Sequence, residues 1–111
     1  RKEKPSTVLK CIEIKKNMGW CDDIRFPKKY NKLIKIENKI KNEKLNRKDY
    51  KYDLLIPIKY NFKRPVIGRG SCIFIHLTKD YKPTTGCVAL KEKDFLIMLK
   101  LIKKNSKIKI F

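Results

Sequence analysis

Residues 72–77, CIFIHL, form the most strand-like segment of the sequence, and its only histidine, His76, stands near the end of that segment. β-Branched and aromatic side chains, which are enriched in strands, fill the centre of the segment. Turn-forming residues precede it in RPVIGRGS, 64–71, and a loop-like stretch follows it in TKDYKPTTG, 78–86. This arrangement predicts a buried, central strand.

A helix is predicted after that strand. The stretch KEKDFLIMLKLIKK, 91–104, carries apolar residues at helical spacing and ends in lysines, which favour a helix C-terminus. We expect the helix at about residues 91–103, with four side chains facing the core: Phe95, Met98, Leu99 and Ile102.

The apolar segments elsewhere predict further strands. They are expected at 8–14, VLKCIEI, at 53–61, DLLIPIKYN, and at 107–111, KIKIF. Pro57 lies within the second of these strands, and it is expected at a bulge or on an edge, where no backbone N–H is needed.

Two polar segments carry weaker signals. Residues 17–31 read as an irregular loop, and residues 32–52 as a charged surface loop with a short helix or strand. The expected fold class is therefore mostly β with one main helix, in a single domain spanning 1–111. The chain opens with Arg1 rather than Met, which predicts that the natural N-terminus is missing.

The net charge of +19 raises the question of an anionic partner. Lysine supplies 25 of the 30 basic residues, whereas arginine, which pairs bidentately with bases and phosphates, is scarce. The lysines are spread over the chain among many Ile and Asn residues, a bias that an AT-rich genome produces. This favours a solvated lysine coat and no specific nucleic-acid partner. No apolar run approaches the roughly 18 residues of a membrane span, so no transmembrane segment is expected.

The four cysteines stand at positions 11, 21, 72 and 87. They form no C-x-x-C pair, and a single histidine is too few for a usual Cys/His zinc pattern, so no metal site is expected. Cys11 and Cys72 read as small buried hydrophobic residues, and Cys21 as structural. A disulfide among these three cysteines stays open at this point.

His76 and Cys87 are the residues that suggest chemistry. A cysteine attacks a carbonyl as a thiolate, and a nearby histidine is the natural acceptor of its proton. If the loop 78–86 folds back, the two side chains face each other, and Gly86 allows a sharp turn beside an oxyanion site. By itself the pair is weak evidence of catalysis, because a buried thiol and a hydrogen-bonded histidine more often explain such a spacing.

The surrounding motif resembles the YkuD family of L,D-transpeptidases, whose signature is a strand ending in His, a loop, and then Ser/Thr-His-Gly-Cys. The matching residues here are GSCIFI followed by His76, and TTGC at Thr84, Thr85, Gly86 and Cys87. The helix and last strand that follow the nucleophile in that family correspond to KEKDFLIMLKLIKKNSKIKIF.

Upstream motifs extend the resemblance to a bacterial subgroup of small YkuD-like proteins. They are GWCDD at 19–23, YN at 30–31, YDLLIPIKYN and GRGSCIFIH. Three features depart from the family pattern. Thr85 replaces the second histidine, Ala89 replaces an arginine often found two residues after the nucleophile, and the N-terminal TP-x-G-x-F segment is absent.

The resemblance implies a YkuD-like mixed β-sandwich or open barrel, incomplete at its N-terminus. It also implies a cysteine-dependent L,D-transpeptidase of the bacterial periplasm or cell envelope that acts on peptidoglycan stem peptides and requires no cofactor. In that mechanism Cys87 is the nucleophile and His76 the base, and Gly86, Thr85 and Thr84 form the loop around the oxyanion site. An amine resolves the acyl-enzyme to a cross-link, or water hydrolyses it.

The other candidate site residues are expected to bind substrate. Asp22 and Asp23 have carboxylates that suit the orientation of His76, although the family more usually employs a backbone carbonyl. Trp20 is a wall of the substrate cleft or a core aromatic residue. Arg69 and Tyr81 flank the expected site and suit substrate carboxylates, with solvated loop positions as the simpler reading.

Two alternatives stand beside the enzyme. The first is a basic module that binds nucleic acid, and the second is a catalytically silent, YkuD-like envelope protein. Thr85, Ala89 and the missing N-terminal segment are the features that suggest the second alternative.

Overall fold

The computed structural model describes residues 3–81, 84 and 87–109. Within these residues the chain forms six short strands followed by one helix, so the expectation of a mostly β fold with a single main helix is confirmed. The elements are β1 (Met18–Cys21), β2 (Leu33–Lys35), β3 (Asn42–Lys44), β4 (Leu55–Pro57), β5 (Phe74–Leu77), β6 (Val88–Leu90) and α1 (Glu92–Leu101).

The strands form two three-stranded sheets. In the first sheet β1 lies between β2 and β3 and pairs antiparallel with both. In the second sheet β5 is central, antiparallel to β4 and parallel to β6. The segment CIFIHL therefore supplies a central strand, as its composition predicts, although the regular strand begins only at Phe74.

All four residues of β5 are buried, because both faces of its sheet are covered. Ile75 and Leu77 point to one face and pack in a cluster with Phe95 and Leu99 of α1. Phe74 points to the other face, where the first sheet contributes Trp20 to a second cluster. The second sheet thus lies between the helix and the first sheet.

Phe74 is the centre of the contact between the two sheets. Its side chain is 0% exposed and meets Trp20 edge-on at 5.3 Å and Tyr52 edge-on at 5.7 Å between ring centroids. Edge-to-face pairs of this kind contribute about 0.5–1.5 kcal/mol each beyond the apolar area they bury. This aromatic cluster therefore holds the two sheets together.

The helix agrees with its sequence pattern. It spans Glu92–Leu101, with Glu92 and Asp94 in its first turn. Acidic side chains there interact favourably with the positive end of the helix dipole. Phe95 and Leu99 are buried, and Met98 and Ile102 are partly buried against the same core. No helix in the described part of the chain is long and apolar enough to cross a membrane.

The prediction of an irregular loop at 17–31 is wrong at its start, because residues 18–21 form the central strand of the first sheet. Gly19 and two aspartates suggested a turn, but Gly19 serves a close approach between strands. A Cβ at this position would lie 2.5 Å from Oδ1 of Asn42 on β3. Packing across the sheet explains the glycine.

Two predicted strands are absent from the described residues. Residues 8–14 form no strand, since their alternating side chains only touch the core through Leu9 and Ile14 and no neighbouring strand pairs with them. Residues 107–109 form no strand either, and 110–111 lie outside the described residues. Alternation shows that a segment suits a sheet, but a strand also requires a partner backbone.

The remaining strand predictions agree in kind with the structure. The segment 53–61 contains β4, which is shorter than predicted and ends at Pro57. β4 is an edge strand, so Pro57 occupies the position expected for a residue without an N–H. The charged segment 32–52 forms the two short strands β2 and β3.

Truncating the aromatic contact tests whether it joins the sheets. Phe74→Ala should lower the free energy of unfolding by about 3–5 kcal/mol, because it removes a fully buried ring and leaves a cavity. Chemical denaturation followed by circular dichroism measures this loss. Ile97→Ala, at an exposed helix position, should change stability by only about 0.5 kcal/mol. Equal effects of the two changes would contradict the packing described here.

Candidate functional site

The pairing of β5 with β6 places His76 and Cys87 on the same face of the second sheet. Ile75 is in register with Val88, and His76 with Ala89. Cys87 immediately precedes β6, and alternate residues of a strand share a face, so Cys87 projects to the side of Ala89 and His76. The packing agrees, because Val88 contacts the cluster under the helix whereas Cys87 contacts the aromatic cluster between the sheets.

Tyr52 is the neighbour that His76 and Cys87 share. Its ring lies 5.7 Å from the His76 ring, at an interplanar angle of 63°, and belongs to the cluster that Cys87 contacts. The phenol donates a 2.8 Å hydrogen bond to Oε1 of Glu43. Burial raises the pKa of Tyr52, and the nearby Glu43 and Cys87 raise it further, so the phenol stays protonated at neutral pH.

The imidazole of His76 is oriented by the backbone. Its Nδ1 lies 2.9 Å from the carbonyl oxygen of Leu77, and its side chain is largely buried. A carbonyl only accepts hydrogen bonds, so the proton belongs on Nδ1, which leaves Nε2 as the acceptor of the ring. The bond agrees with the backbone-carbonyl orientation expected from the family resemblance.

Cys87 is partly exposed, and its thiol has a backbone hydrogen-bond partner. Its Sγ lies 3.3 Å from the carbonyl oxygen of Cys72, which accepts the thiol hydrogen. The hydroxyl of Thr84 donates to the carbonyl oxygen of Cys87 itself and ties the end of the preceding loop to the strand. The other two residues predicted for the oxyanion loop, Thr85 and Gly86, lie outside the described residues.

The other cysteines differ from Cys87 in environment. Burial raises the pKa of the Cys72 thiol to about 12, so this thiol carries its proton at neutral pH. Cys21 is fully buried, as a structural residue should be, whereas Cys11 is exposed, so the prediction that Cys11 is buried is wrong. All four cysteines are free thiols, and the disulfide that the sequence left open is not formed.

The two aspartates make contacts within the first sheet and its loops. Asp23, only 4% exposed, accepts bonds from the Arg25 side chain and from the backbone N–H groups of Arg25 and Lys41. Asp22 is partly exposed, and its Oδ2 lies 3.9 Å from Nζ of Lys41. These contacts give Asp23 a structural role, and His76 receives its orienting bond from Leu77 instead.

Trp20 lies in the core. This position supports the role of a core aromatic residue over that of a wall of the substrate cleft. Its ring contacts Phe74, and its Nε1 donates a 2.8 Å hydrogen bond to Oδ1 of Asn31. The amide nitrogen of Asn31 in turn donates to the carbonyl oxygens of Tyr60, at 3.0 Å, and Asn61, at 2.6 Å. The motif YN at 30–31 contains Asn31, but nothing local in the sequence indicated these hydrogen bonds, because their partners stand in distant segments.

The last two candidates lie on exposed loops. Arg69 belongs to a turn in which its N–H donates to the carbonyl oxygen of Val66, at 3.1 Å. Tyr81 donates through its hydroxyl to the Asp94 carboxylate and accepts a 3.1 Å bond from the N–H of Lys91. Tyr81 therefore joins the loop before Cys87 to the first turn of α1.

A groove of about 880 Å³ runs between the N-terminal segment and the edge of both sheets, where it is lined by Leu9, Ile14, Leu55 and Phe95 among others. A smaller pocket of about 320 Å³ lies near Thr78 and Glu92. Neither is lined by His76 or Cys87. In the described part of the chain no group of three or more His, Cys, Asp or Glu side chains is placed to hold a metal ion.

Comparisons with known proteins found no match to this chain. No protein-family model matches the chain, and neither does any curated protein or solved structure. The resemblance to the YkuD family stays a prediction carried by the quoted motifs.

Thiol labelling tests the four cysteine environments. With iodoacetamide at about pH 7.5, Cys21 and Cys72 should react at least about 100-fold more slowly than Cys11, because one is inaccessible and the other carries little thiolate. Peptide mass spectrometry over time gives each rate, and unfolded protein, in which all four should react alike, is the control. Labelling of Cys72 as fast as Cys11 would contradict its burial.

Acid unfolding tests the contacts of Asp23. Hydrogen bonds from Arg25 and Lys41 hold the pKa of Asp23 well below its usual value near 3.8, so the ionised carboxylate stabilises the fold. That stabilisation is complete above the unfolded-state pKa and is lost as pH falls from about 4 towards the folded-state value. Asp23→Asn should therefore be less stable than the parent at pH 7, and the difference should shrink below about pH 4.

Urea unfolding between about pH 7 and pH 3 measures this difference. Asp22→Asn is the matched control, because Asp22 is partly exposed and its long ion pair to the exposed Lys41 contributes little. A stability gap for Asp23→Asn that stays constant through the acid range would show that the contacts of its carboxylate do not depend on its charge.

Proposed function

We propose that this chain is an L,D-transpeptidase-like cysteine acyltransferase that acts on peptidoglycan stem peptides. The observation that carries the proposal is the placement of His76 and Cys87 on one sheet face, both beside Tyr52, with Nε2 of His76 left as the acceptor. A proton acceptor beside a thiol is what a cysteine nucleophile requires. The motif around both residues resembles that of L,D-transpeptidases and so suggests the class of reaction.

The proposed reaction begins when the Cys87 thiol leaves the carbonyl of Cys72 and turns towards His76. Nε2 takes the thiol proton, and the thiolate attacks the carbonyl that precedes the terminal D-amino acid of the stem peptide. The tetrahedral intermediate then collapses, its C–N bond breaks, and His76 returns the proton to the departing amine. An acyl group remains on Sγ, and an amine or water, deprotonated by the same Nε2, releases it.

The fold part of the proposal is a YkuD-like sandwich. The second sheet supports it, because a strand bearing His76, a loop, the cysteine and a helix follow one another in the expected order. One departure from the family pattern is Ala89, which stands in place of an arginine. It is in register with His76, so a methyl group stands beside the imidazole where the family often has a guanidinium. We therefore expect substrate carboxylates to be bound by other cations.

An envelope location belongs to the same proposal, since peptidoglycan is assembled outside the cytoplasmic membrane. Cell fractionation of the native producer should place the protein in the periplasm or envelope. Recovery in the cytoplasmic fraction alone would count against a peptidoglycan substrate while leaving the acyl-transfer chemistry possible for another peptide.

Incubation with purified muropeptides tests the chemistry. Mass spectrometry should find an acyl adduct on the peptide containing Cys87, together with cross-linked or shortened stem peptides. Cys87→Ser should abolish the adduct, and His76→Ala should slow its formation by about 100-fold to 10,000-fold, because the general base is lost. Circular dichroism should show both variants folded.

Cys72→Ser is the matched control, because it alters the neighbouring thiol while keeping the backbone carbonyl that Cys87 contacts. It should retain the adduct. Rapid labelling of Cys87 with no adduct from any muropeptide would favour a catalytically silent, YkuD-like protein. Turnover that survives Cys87→Ala would overturn the assignment of the nucleophile.

A further inference from the structure

The outward face of α1 exposes large apolar side chains. Phe95 and Leu99 are buried on the inner side of the helix, and Ile97 and Leu101 project from the opposite side. Ile97 is 50% exposed and Leu101 is 74% exposed. The two residues are four positions apart and so lie one above the other on the helix surface. Together they form an apolar ridge on the surface of the protein.

Lysines surround this ridge. Lys93 and Lys100 lie on the same outward side of the helix, and Lys103, Lys104 and Lys107 follow its end, all exposed. In the part of the chain that the structure describes, no carboxylate lies within ion-pair distance of these five amines. The nearby Asp94 already accepts the hydroxyl of Tyr81. The helix face therefore combines apolar residues with uncompensated positive charge.

We propose that this face of α1, with the segment that follows it, docks on an anionic lipid surface. A helix with apolar residues on one side and lysines around them lies along the membrane interface, with the apolar side chains among the acyl chains and the amines at the phosphates. The ten residues of α1 are too few to span a bilayer, so the helix lies parallel to its surface.

The composition of the face favours lipid over other anionic partners. Nucleic acid would use the lysines but would leave Ile97 and Leu101 exposed, since phosphate contacts need only charge. A second copy of the chain would cover the apolar ridge but would bring together two molecules that each carry a net charge of +19. An anionic bilayer is complementary to the ridge and the lysines at once.

Docking through α1 also sets an orientation. The helix packs against the face of the second sheet that carries Ile75 and Val88, whereas His76 and Cys87 lie on the opposite face. A lipid surface on the outward side of α1 therefore leaves the side of His76 and Cys87 turned away from the membrane. The inference rests on the helix surface and does not depend on the proposed acyl transfer.

Co-sedimentation with vesicles tests the proposal. The chain should bind vesicles of phosphatidylglycerol and phosphatidylcholine and should not bind vesicles of phosphatidylcholine alone. Ile97→Ser with Leu101→Ser should weaken binding by roughly tenfold or more, because the ridge no longer buries apolar surface. Lys93→Gln with Lys100→Gln should weaken it by about fivefold per lysine at low salt. All four positions are exposed, and thermal unfolding should confirm intact folds.

Matched controls come from the first sheet and from the loop after β1. Lys35→Gln with Lys44→Gln removes the same charge from exposed strand positions, and Ile24→Ser removes an equally exposed apolar side chain. Both should bind vesicles like the parent. A tryptophan introduced by Ile97→Trp should shift its emission to the blue on anionic vesicles, whereas Ile24→Trp should not.

Three results would overturn the proposal. The first is equal loss of binding in the control and helix variants, which would show attraction by net charge alone. The second is that duplex DNA displaces the protein from vesicles and binds the Ile97→Ser, Leu101→Ser variant as tightly as the parent. The third is a dimer in solution that the paired serine variant dissociates, which would assign the ridge to a second copy of the chain.

Discussion

Beside the aromatic cluster around Phe74, the side chain of Asn31 is the polar contact that ties the first sheet to the loop between β4 and β5. Nearly fully buried at φ +56°, it accepts from the Trp20 indole and donates to two carbonyls of the loop after β4. Its own N–H donates to the carbonyl oxygen of Cys21, at 2.9 Å. Asparagine tolerates this left-handed backbone better than most residues and offers both a donor and an acceptor. One residue therefore joins β1 to the loop that leads into β5.

A polar side chain, His76, is also buried inside the second sheet. β5 is covered on both sides, and an imidazole in such a strand requires a hydrogen bond to offset its burial. The Leu77 carbonyl provides the bond, and the edge of the Tyr52 ring covers the other side of the site. Tyr52 is in turn held by Glu43 on β3, so the first sheet positions a neighbour of His76. The site belongs to the interface of the two sheets.

In the structure, the two proposed catalytic groups each have their own backbone partner. Cys87 donates to the carbonyl of Cys72, and His76 keeps its proton on the side of Leu77. Because Cys72 stands at φ +60° and its own thiol is held neutral by burial, it offers a backbone acceptor and no competing thiolate. Helix α1 lies on the opposite face of the second sheet, so the proposed lipid docking and the proposed acyl transfer would occupy different sides of the protein.

The sequence by itself determined the elements whose signal is local. The apolar run that contains Phe74 and Ile75 predicted β5, and the helical spacing of Phe95 and Leu99 predicted α1, because each pattern lies within a single segment. The motif around His76 and Cys87 likewise singled out the pair. Only the tertiary structure decided which segments pair as strands, so residues 19–21, GWC, became part of a central strand while VLKCIEI did not. It also decided the roles of Asn31 and Tyr52, because their partners stand many residues away and a hydrogen bond or a ring contact between distant segments leaves no periodic trace in the chain.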